Sequence, residues 1–160
     1  MNKVLKNPLF WGAAILGLSI DRFTKDWVME VFQIGESWHV WPGVFHFTFV
    51  VNSGAAFSLF HEQGEWLRWV SLLVSLVLFG MVVWGPQLSF GEQLGFGFIF
   101  SGALGNGIDR FASGKVIDFI DVRLIQFPIF NMADVFINIG VICLIVSAFW
   151  TEGRSRSQKP

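Results

Sequence analysis

Charged side chains are scarce in this chain, where Asp, Glu, Lys and Arg together make up only 14% of the 160 residues. A soluble domain normally carries about a quarter charged residues. Here 53% of the residues are hydrophobic, with 19 Phe and 8 Trp, so the composition indicates a membrane protein, and we expect one domain, residues 1–160. The net charge is −1 and the interior has no basic block, so we expect no nucleic-acid partner.

Cysteine is nearly absent, since the sequence contains only Cys143. A single Cys excludes an internal disulfide and any metal site built from several cysteines. His39, His46 and His61 lack the paired helical spacing of a zinc protease, and the Gly-x-Ser-x-Gly elbow of a serine hydrolase is missing. We therefore expect no metal and no cofactor, and carboxylates remain as the candidate catalysts.

A signal-peptide cleavage site is missing after the N-terminal apolar run. Lys3 and Lys6 precede that run as in a secretory signal, but charged residues follow it where small residues would be needed. We interpret this segment as a retained first membrane span.

Long uncharged runs are few, although a helical span needs roughly 20 mainly apolar residues. Spans are predicted at about residues 7–25, 66–86, 92–110 and 131–151. Apart from the second, they reach full length only if a charged residue at one end lies near the membrane surface. With the N-terminus inside, these charged ends share one outer face, which indicates a common polar site. Five glycines of the third span predict close packing against neighbouring helices.

The flanking charges predict the orientation of the chain. Lys3 and Lys6 precede the first span, and Arg154, Arg156 and Lys159 follow the fourth. Four spans place both basic tails on one side, which the positive-inside rule makes cytoplasmic.

Residues 37–61 are a rival fifth span, because they contain no Asp, Glu, Lys or Arg. A Pro-Gly pair at residues 42–43 interrupts a helix early. Phe then alternates with polar residues from 45 to 49, a period of two that predicts a strand. We predict a small sheet on the outer leaflet, drawn from about residues 30–62 and 111–130, with a fifth span as the alternative.

Ionisable residues at a membrane edge are candidates for function. Asn131 followed by Asp134 resembles a capping box, so Asp134 either caps a helix or is a functional carboxylate whose ionised form the helix dipole favours. Asp118 has apolar neighbours, and burial without a cation would raise its pKa; a solvated loop carboxylate is the alternative. For Asp121 we favour the solvated loop.

Two further groups of polar residues lie near predicted span ends. Spacings of three and four place Asn106, Asp109 and Arg110 on one helical face, either as interfacial anchors or as part of a site. Asp21 and Lys25 stand four residues apart, and we interpret them as a structural ion pair. Arg110 is expected either to neutralise Asp109 or to reach a substrate backbone.

Four motifs resemble the lipoprotein signal peptidase family, also called signal peptidase II. In chain order they are Asp21-Arg22-Phe23-Thr24-Lys25, Val51-Asn52-Ser53-Gly54-Ala55-Ala56-Phe57, Gly105-Asn106 through Asp109-Arg110 with Val116-Ile117-Asp118-Phe119, and Phe130-Asn131-Met132-Ala133-Asp134. Four motifs in this order, over most of a four-span chain, are specific. Gly107 departs from the pattern, because the family usually has a bulky aliphatic residue there.

The resemblance implies a mainly α membrane protein with four transmembrane helices, a small periplasmic β-sheet (the cradle) and a short periplasmic helix. It implies a bacterial inner-membrane location, with both termini cytoplasmic and the active site at the periplasmic face. The implied catalytic residues are Asp118 and Asp134. The other motif positions are implied to bind substrate or support the site, at Asn52, Gly54, Ala56, Asn106, Asp109, Arg110 and Asn131, with Asp21 and Lys25 as structural polar residues.

The implied activity is that of an aspartyl endopeptidase that removes signal peptides from diacylglyceryl-modified prolipoproteins, cutting before the lipidated cysteine. Two close carboxylates share one proton, so one activates water while the other donates toward the amide. We expect Asp134 to carry the charge and Asp118 the proton. The expected partners are lipid-modified signal peptides and membrane lipid, and we expect a monomer.

Two other functions remain open from the residues. A proton- or ion-coupled transporter would need acidic residues along a path across the bilayer. A non-catalytic membrane scaffold would tolerate Asp118→Asn and Asp134→Asn without any change in activity.

Overall fold

The computed structural model describes residues 6–54, 65–125 and 127–157 as four long helices and a three-stranded sheet. The elements in chain order are α1 (Pro8–Val31), β1 (Ser37–Trp41), β2 (Phe45–Asn52), α2 (Glu65–Trp84), α3 (Phe90–Ser113), β3 (Val116–Val122) and α4 (Met132–Ser157). The mainly helical fold and the small sheet are as predicted. The short helix implied by the family resemblance is not among the elements of these described ranges.

Helix α3 is central and packs against α1, α2 and α4. Its glycines allow this close approach, as their number predicted. A Cβ atom at Gly97 would lie 2.6 Å from the carbonyl O of Phe10 in α1, and one at Gly102 would lie 2.3 Å from that of Ala133 in α4. Larger residues at either position would push the helices apart.

Helices α1 and α3 extend beyond the residue ranges predicted for the first and third spans, because local capping and packing decide helix ends. Helix α3 extends beyond residues 92–110: Ser89 caps its N-terminus in a capping box with Glu92, and Gly114 ends it in a left-handed conformation with φ of 73°. Helix α1 continues past residue 25 to Val31. Its last turns carry apolar residues onto the sheet.

Helices α2 and α4 contain stretches that are long and apolar enough to cross a membrane. These stretches are Trp66–Trp84 and Met132–Trp150, with mean hydropathies of 2.0 and 2.2. Helices α1 and α3 do not meet the same criterion in the part of the chain that is described. Both bury polar residues along their length, and the four-span arrangement stays a prediction.

The sheet has the antiparallel order β1-β2-β3. Strand β2 confirms the prediction from alternating Phe residues, and a helical fifth span over residues 37–61 is wrong because β1 and β2 both fall within it. Strand β3 pairs Asp118 with Val50 and Asp121 with His46. The solvated loop predicted for Asp121 is therefore also wrong, since this residue lies in a strand and is only 7% exposed.

A hydrophobic cluster holds the sheet against the end of α1. Its buried members are Val28, Phe32, Phe49 and Phe119. Trp27 adds edge-to-face contacts with Phe32 and Phe47, at ring-centroid distances of 5.5 and 5.7 Å. This packing fixes β3 at the end of the helix bundle, and with it the position of Asp118.

Candidate active site

The connection between β3 and α4 places Asp118 and Asp134 at the same end of the helix bundle. The backbones of Phe130 and Ile120 exchange hydrogen bonds of 2.8 and 3.1 Å, which ties the residue before Asn131 to β3. Helix α4 begins directly afterwards and carries Asp134 in its first turn. Both aspartates line one cavity.

The predicted capping pattern is present at the start of α4. The backbone N–H of Asp134 donates to Oδ1 of Asn131 at 3.1 Å, and the backbone N–H of Asn131 donates to Oδ2 of Asp134 at 3.2 Å. Oδ1 of Asp134 accepts a bond of 2.9 Å from Nδ2 of Asn106. Capping the helix and facing the cavity are therefore not exclusive alternatives for Asp134.

Asp118 is buried, with 3% of its surface exposed, and receives hydrogen bonds from two neutral amides. Its Oδ2 accepts from Nδ2 of Asn52 at 2.9 Å, and its Oδ1 accepts from Nδ2 of Asn131 at 2.6 Å. Burial raises the pKa of Asp118 to about 7; the charge of nearby Asp134 acts in the same direction, whereas the two amide bonds oppose it. The solvated-loop alternative for Asp118 is thus wrong.

The side chain of Asn131 connects the two aspartates. It is fully buried, and its Nδ2 donates both to Asp118 and, at 3.1 Å, to Oδ1 of Asn106. Its Oδ1 accepts the backbone N–H of Asp134. Asn131 therefore contacts the carboxylate of Asp118 through its side-chain amide and that of Asp134 through its backbone N–H, which restricts their relative positions.

Asn52 is oriented by the turn that ends β2. The backbone N–H of Gly54 donates to Oδ1 of Asn52 at 2.9 Å, and this directs Nδ2 toward Asp118. Gly54 thus supports the site through its backbone. Ala56, the other residue predicted from this motif, lies outside the described residues.

A buried charged layer lies behind the amides. Lys25 is fully buried, and its Nζ lies 2.9 Å from Oδ2 of Asp21, 2.7 Å from Oδ2 of Asp109 and 3.0 Å from Oδ1 of Asn106. The Lys25 contact takes the oxygen of Asn106 and leaves its NH2 group for Asp134. The predicted pair of Asp21 and Lys25 is present, and it is part of a larger network.

Asp21 also links α1 to the start of α4. Its Oδ1 accepts the backbone N–H of Ala133 at 2.9 Å, so it satisfies one of the unpaired donors of the first helical turn. A Cβ atom at Gly105 would lie 2.5 Å from Oδ2 of Asp21. The position of Asp21 therefore depends on a glycine in α3.

Arg110 is not the nearest cation of Asp109, because Nζ of Lys25 lies 2.7 Å from Oδ2 of that carboxylate and Nη1 of Arg22 lies 3.6 Å from its Oδ1. Nη1 of Arg110 approaches Oγ of Ser71 in α2 at 3.5 Å. The side chain of Arg110 lines the cavity together with both aspartates. Contact of Arg110 with a bound ligand stays a prediction.

The cavity has a volume of about 480 Å³ and is lined by both polar and apolar residues. The polar lining residues are Asn52, Asn106, Arg110, Asp118, Asp134 and Asn138, and apolar ones include Val116, Phe130, Val135, Ile139 and Ile142. This lining suits a ligand that presents a polar group to the carboxylates and apolar groups to the remaining walls.

A second polar cluster, which the residue patterns did not predict, lies on the other face of the sheet. Oδ2 of Asp121 accepts from Oγ1 of Thr48 at 2.7 Å and from Nε of Arg123 at 2.9 Å. Ser37 and His46 extend it, since Oγ of Ser37 lies 2.8 Å from Oγ1 of Thr48 and 3.4 Å from Nδ1 of His46. The alternation that predicted β2 already placed His46 and Thr48 on one face.

Buried charge in the described part of the chain is concentrated at the sheet end of the bundle. The buried charged residues there are Asp21, Lys25, Asp109, Asp118 and Asp121. The path of acidic residues across the bilayer that a transporter needs is not found among them. No group of three His, Cys, Asp or Glu side chains suited to a metal ion occurs in the described ranges.

Comparison with known proteins agrees with this arrangement. A family model described as Signal peptidase (SPase) II matches residues 13–150. The chain is 56% identical over 143 residues to a lipoprotein signal peptidase of Trichormus variabilis, covering 89% of this chain and 90% of the relative. It is 57% identical over 150 residues to one of Microcystis aeruginosa, covering 93% and 97%.

Two solved structures, each described as a bacterial membrane enzyme, resemble the fold. One has a TM-score of 0.81 at 31% identity and covers 92% of this chain and 91% of its own. The other has a TM-score of 0.75 at 32% identity, with coverage of 85% and 89%.

Proposed function

The chain belongs to the signal peptidase II family of aspartic-type proteases, and we propose that Asp118 and Asp134 are its catalytic pair. Its activity is that of the family, the processing of lipoprotein signal peptides. We further propose that it cuts before a diacylglyceryl-modified cysteine and uses water as the nucleophile.

The observation that carries the proposal is the shared contact of both aspartates with one buried amide. Asn131 donates to Asp118 through Nδ2 and accepts from the backbone of Asp134 through Oδ1. Both carboxylates also open onto the same cavity. Two carboxylates held in one site are the arrangement that aspartic proteases use to share a proton.

The two carboxylates differ in the groups that surround them. Asp118 is buried among neutral donors, and its pKa of about 7 allows it to keep a proton near neutral pH. Asp134 lies in the first turn of α4, where backbone N–H groups favour a negative charge. We therefore assign the proton to Asp118 and the charge to Asp134 in the resting enzyme.

This assignment gives a balanced hydrolysis. Ionised Asp134 accepts a proton from water as the water oxygen attacks the scissile carbonyl carbon, and protonated Asp118 donates its proton to the carbonyl oxygen. The C–N bond then breaks as Asp134 passes its proton to the amine nitrogen, a hydroxyl of the tetrahedral intermediate returns a proton to Asp118, and the peptide acid is released. No cofactor enters these steps.

Arg110 is proposed to contact the substrate backbone. It lines the cavity between the carboxylates and α2, and Lys25 already neutralises Asp109. A guanidinium can donate several hydrogen bonds to carbonyl oxygens. Asn52, Asn106 and Asn131 then act mainly by holding the carboxylates, as their hydrogen bonds support.

The membrane arrangement is proposed from the same geometry. We propose one domain with four spans in a bacterial inner membrane, both termini in the cytoplasm and the cavity at the periplasmic face. The ends of α1 and α3 and the start of α4 lie together beside the sheet, which supports one shared depth. We propose a monomer, since both aspartates and the described lining residues of the cavity belong to one chain. The acyl chains of the substrate remain in the surrounding lipid.

Cleavage of a synthetic diacylglyceryl-modified precursor by purified enzyme tests the catalytic pair. Asp118→Asn and Asp134→Asn should each fold normally and leave the precursor uncut, because each removes one partner of the proton exchange while keeping the side-chain shape. Near-normal cleavage by either variant would exclude the pair. Added chelator should leave wild-type cleavage intact, and globomycin, an inhibitor associated with this family, should block it.

A further inference from the structure

A second apolar groove lies between α3 and α4, at the opposite end from the sheet. Its cavity has a volume of about 580 Å³. Its main apolar lining residues are Phe90, Leu94, Ile142, Val146 and Trp150. Phe90 and Trp150 are 69% and 71% exposed, so the groove presents large apolar side chains to its surroundings.

This groove is continuous with the cavity that contains the two aspartates. Ile142 lines both of them. Together they follow one side of α4 from Asp134 to Trp150. At a rise of 1.5 Å per residue, this stretch of helix is about 24 Å long.

The groove follows from the tight packing of α3 against α4. A Cβ atom at Gly91 would lie 2.7 Å from Cβ of Ser147, and one at Gly95 would lie 2.9 Å from the carbonyl O of Gly140. Small residues let the two helices approach closely. The larger side chains beside this seam then form the walls of a shallow channel.

We infer that the apolar helix of the signal peptide binds in this groove; the inference rests on the proposed function. The apolar region of a signal peptide has about 7–15 residues, or about 10–22 Å as a helix, which fits within the groove. Its C-terminal end must reach Asp118 and Asp134, where the cut is made. The helix therefore runs along α4 toward Trp150.

The far end of the groove suits a signal peptide better than a lipid chain alone. Ser89 lines this end, and its backbone N–H donates to the carboxylate of Glu92 at 2.7 Å. A signal peptide carries basic residues before its apolar region. The carboxylate of Glu92 is adjacent to this end through its contact with Ser89, so it can attract these basic residues.

Photo-crosslinking from two adjacent positions of α4 tests the inference. Val146 lines the groove and is 49% exposed, whereas Ile145 does not line it and is 50% exposed. A benzophenone amino acid at either position is irradiated with a diacylglyceryl-modified precursor that carries its label in the signal peptide. With this label, crosslinking is read whether or not the peptide has been cut.

Crosslinking to the signal peptide should be several-fold stronger from position 146 than from position 145. Equal yields, or products at position 146 that contain only lipid or a second copy of the enzyme, would overturn the inference. Failure of the catalytic pair would be distinguishable from failure of this inference. Cleavage by Asp118→Asn would exclude the pair, but it would leave the crosslinking pattern unchanged.

A kinetic variant provides a second measurement. Val146→Trp fills the groove and should raise KM for the lipidated precursor about tenfold with little change in kcat, since it weakens binding of the peptide and leaves the carboxylates untouched. Ile145→Trp is the matched control and should leave both constants unchanged. An unchanged KM in Val146→Trp would contradict binding in the groove.

Discussion

Asp118 and Asp121 lie three residues apart on β3, and an odd separation directs them to opposite faces of the sheet. Asp121 is bound directly by a cation, Arg123, and by the hydroxyl of Thr48. Asp118 is bound by two neutral amides and opens onto a cavity. Both carboxylates are buried, so burial alone does not distinguish them.

The difference lies in the groups that bond directly to each carboxylate. On the cavity side, Lys25 contacts Asn106, Asp21 and Asp109, and Asn106 links it to the carboxylate of Asp134. Neutral amides donate hydrogen bonds to the oxygens of Asp118, and they do not hold it in the ionised form as a cation would. The carboxylate that is proposed to gain and lose a proton is therefore bound by neutral donors, and the one that links two strands is paired with a cation.

Exchanging each aspartate for asparagine tests this contrast most strongly. Asp118→Asn should lower kcat by about 10³-fold, because it removes the proton donor. Asp121→Asn should keep cleavage within a few-fold of wild type. Cleavage rates and thermal unfolding in detergent check both variants. A comparable loss of kcat in Asp121→Asn, with normal unfolding, would remove the proposed distinction.

The two cations should differ in their contribution to stability. Lys25→Met leaves Asp21 and Asp109 buried without their partner, so we expect it to lower the free energy of unfolding by about 3–5 kcal/mol. The side chain of Arg123 is 45% exposed, so Arg123→Met should lower it by about 1 kcal/mol or less. Chemical unfolding in micelles measures both, and equal losses would contradict the layered arrangement.

Two glycines should respond differently to alanine. A Cβ at Gly105 meets Oδ2 of Asp21 at 2.5 Å, whereas a Cβ at Gly12 has no neighbour within 4 Å. Gly105→Ala should lower the free energy of unfolding by about 1–3 kcal/mol. Gly12→Ala should raise it by about 0.5–1 kcal/mol through helix propensity. If neither substitution changes the free energy of unfolding, the position of Asp21 is not tightly constrained by Gly105.

The pH dependence of cleavage should change when an amide beside Asp118 is replaced and stay the same when a residue beside Asp121 is replaced. Under the proposed mechanism only the enzyme with protonated Asp118 is active, so kcat/KM should fall as pH rises through about 7. Asn52→Leu removes a hydrogen bond that favours the ionised form, so it should raise the pKa of Asp118 and move this fall upward by roughly half to one unit. Thr48→Val, beside Asp121, should leave it in place. A downward movement in Asn52→Leu would contradict the proposed role of the proton.

The sequence predicted those parts of the fold that depend on local patterns. Alternating Phe residues predicted β2, and the spacing of Asn131 and Asp134 predicted a capped helix start. The ends of α1 and α3 were placed at charged residues, although Lys25 and Asp109 are buried against each other inside the bundle. This ion pair lowers the free-energy cost of burying the two charges. The charges therefore do not mark helix ends, although their positions in the sequence suggested it.

The sequence patterns predicted which residues form the site, but they did not predict the hydrogen bonds and ion pairs that join these residues. The contacts of Lys25 with Asn106, and of Asp21 with Ala133, join residues 81 and 112 positions apart, and periodicity contains no information at that range. The network at Asp121 was missed because its partners, Thr48 and Arg123, are ordinary surface residue types. Only the register of β2 against β3 brings Thr48 to Asp121.

Infrared difference spectroscopy of the full-length enzyme tests most directly whether Asp118 holds the proton beside an ionised Asp134. Spectra are recorded between about pH 5 and pH 9, a range that covers perturbed carboxyl groups. We predict a band of a protonated carboxyl group that disappears as pH rises through about 7 and that is missing in Asp118→Asn. A wild-type enzyme without this band, or an Asp118→Asn variant that retains it unchanged, would contradict the assignment.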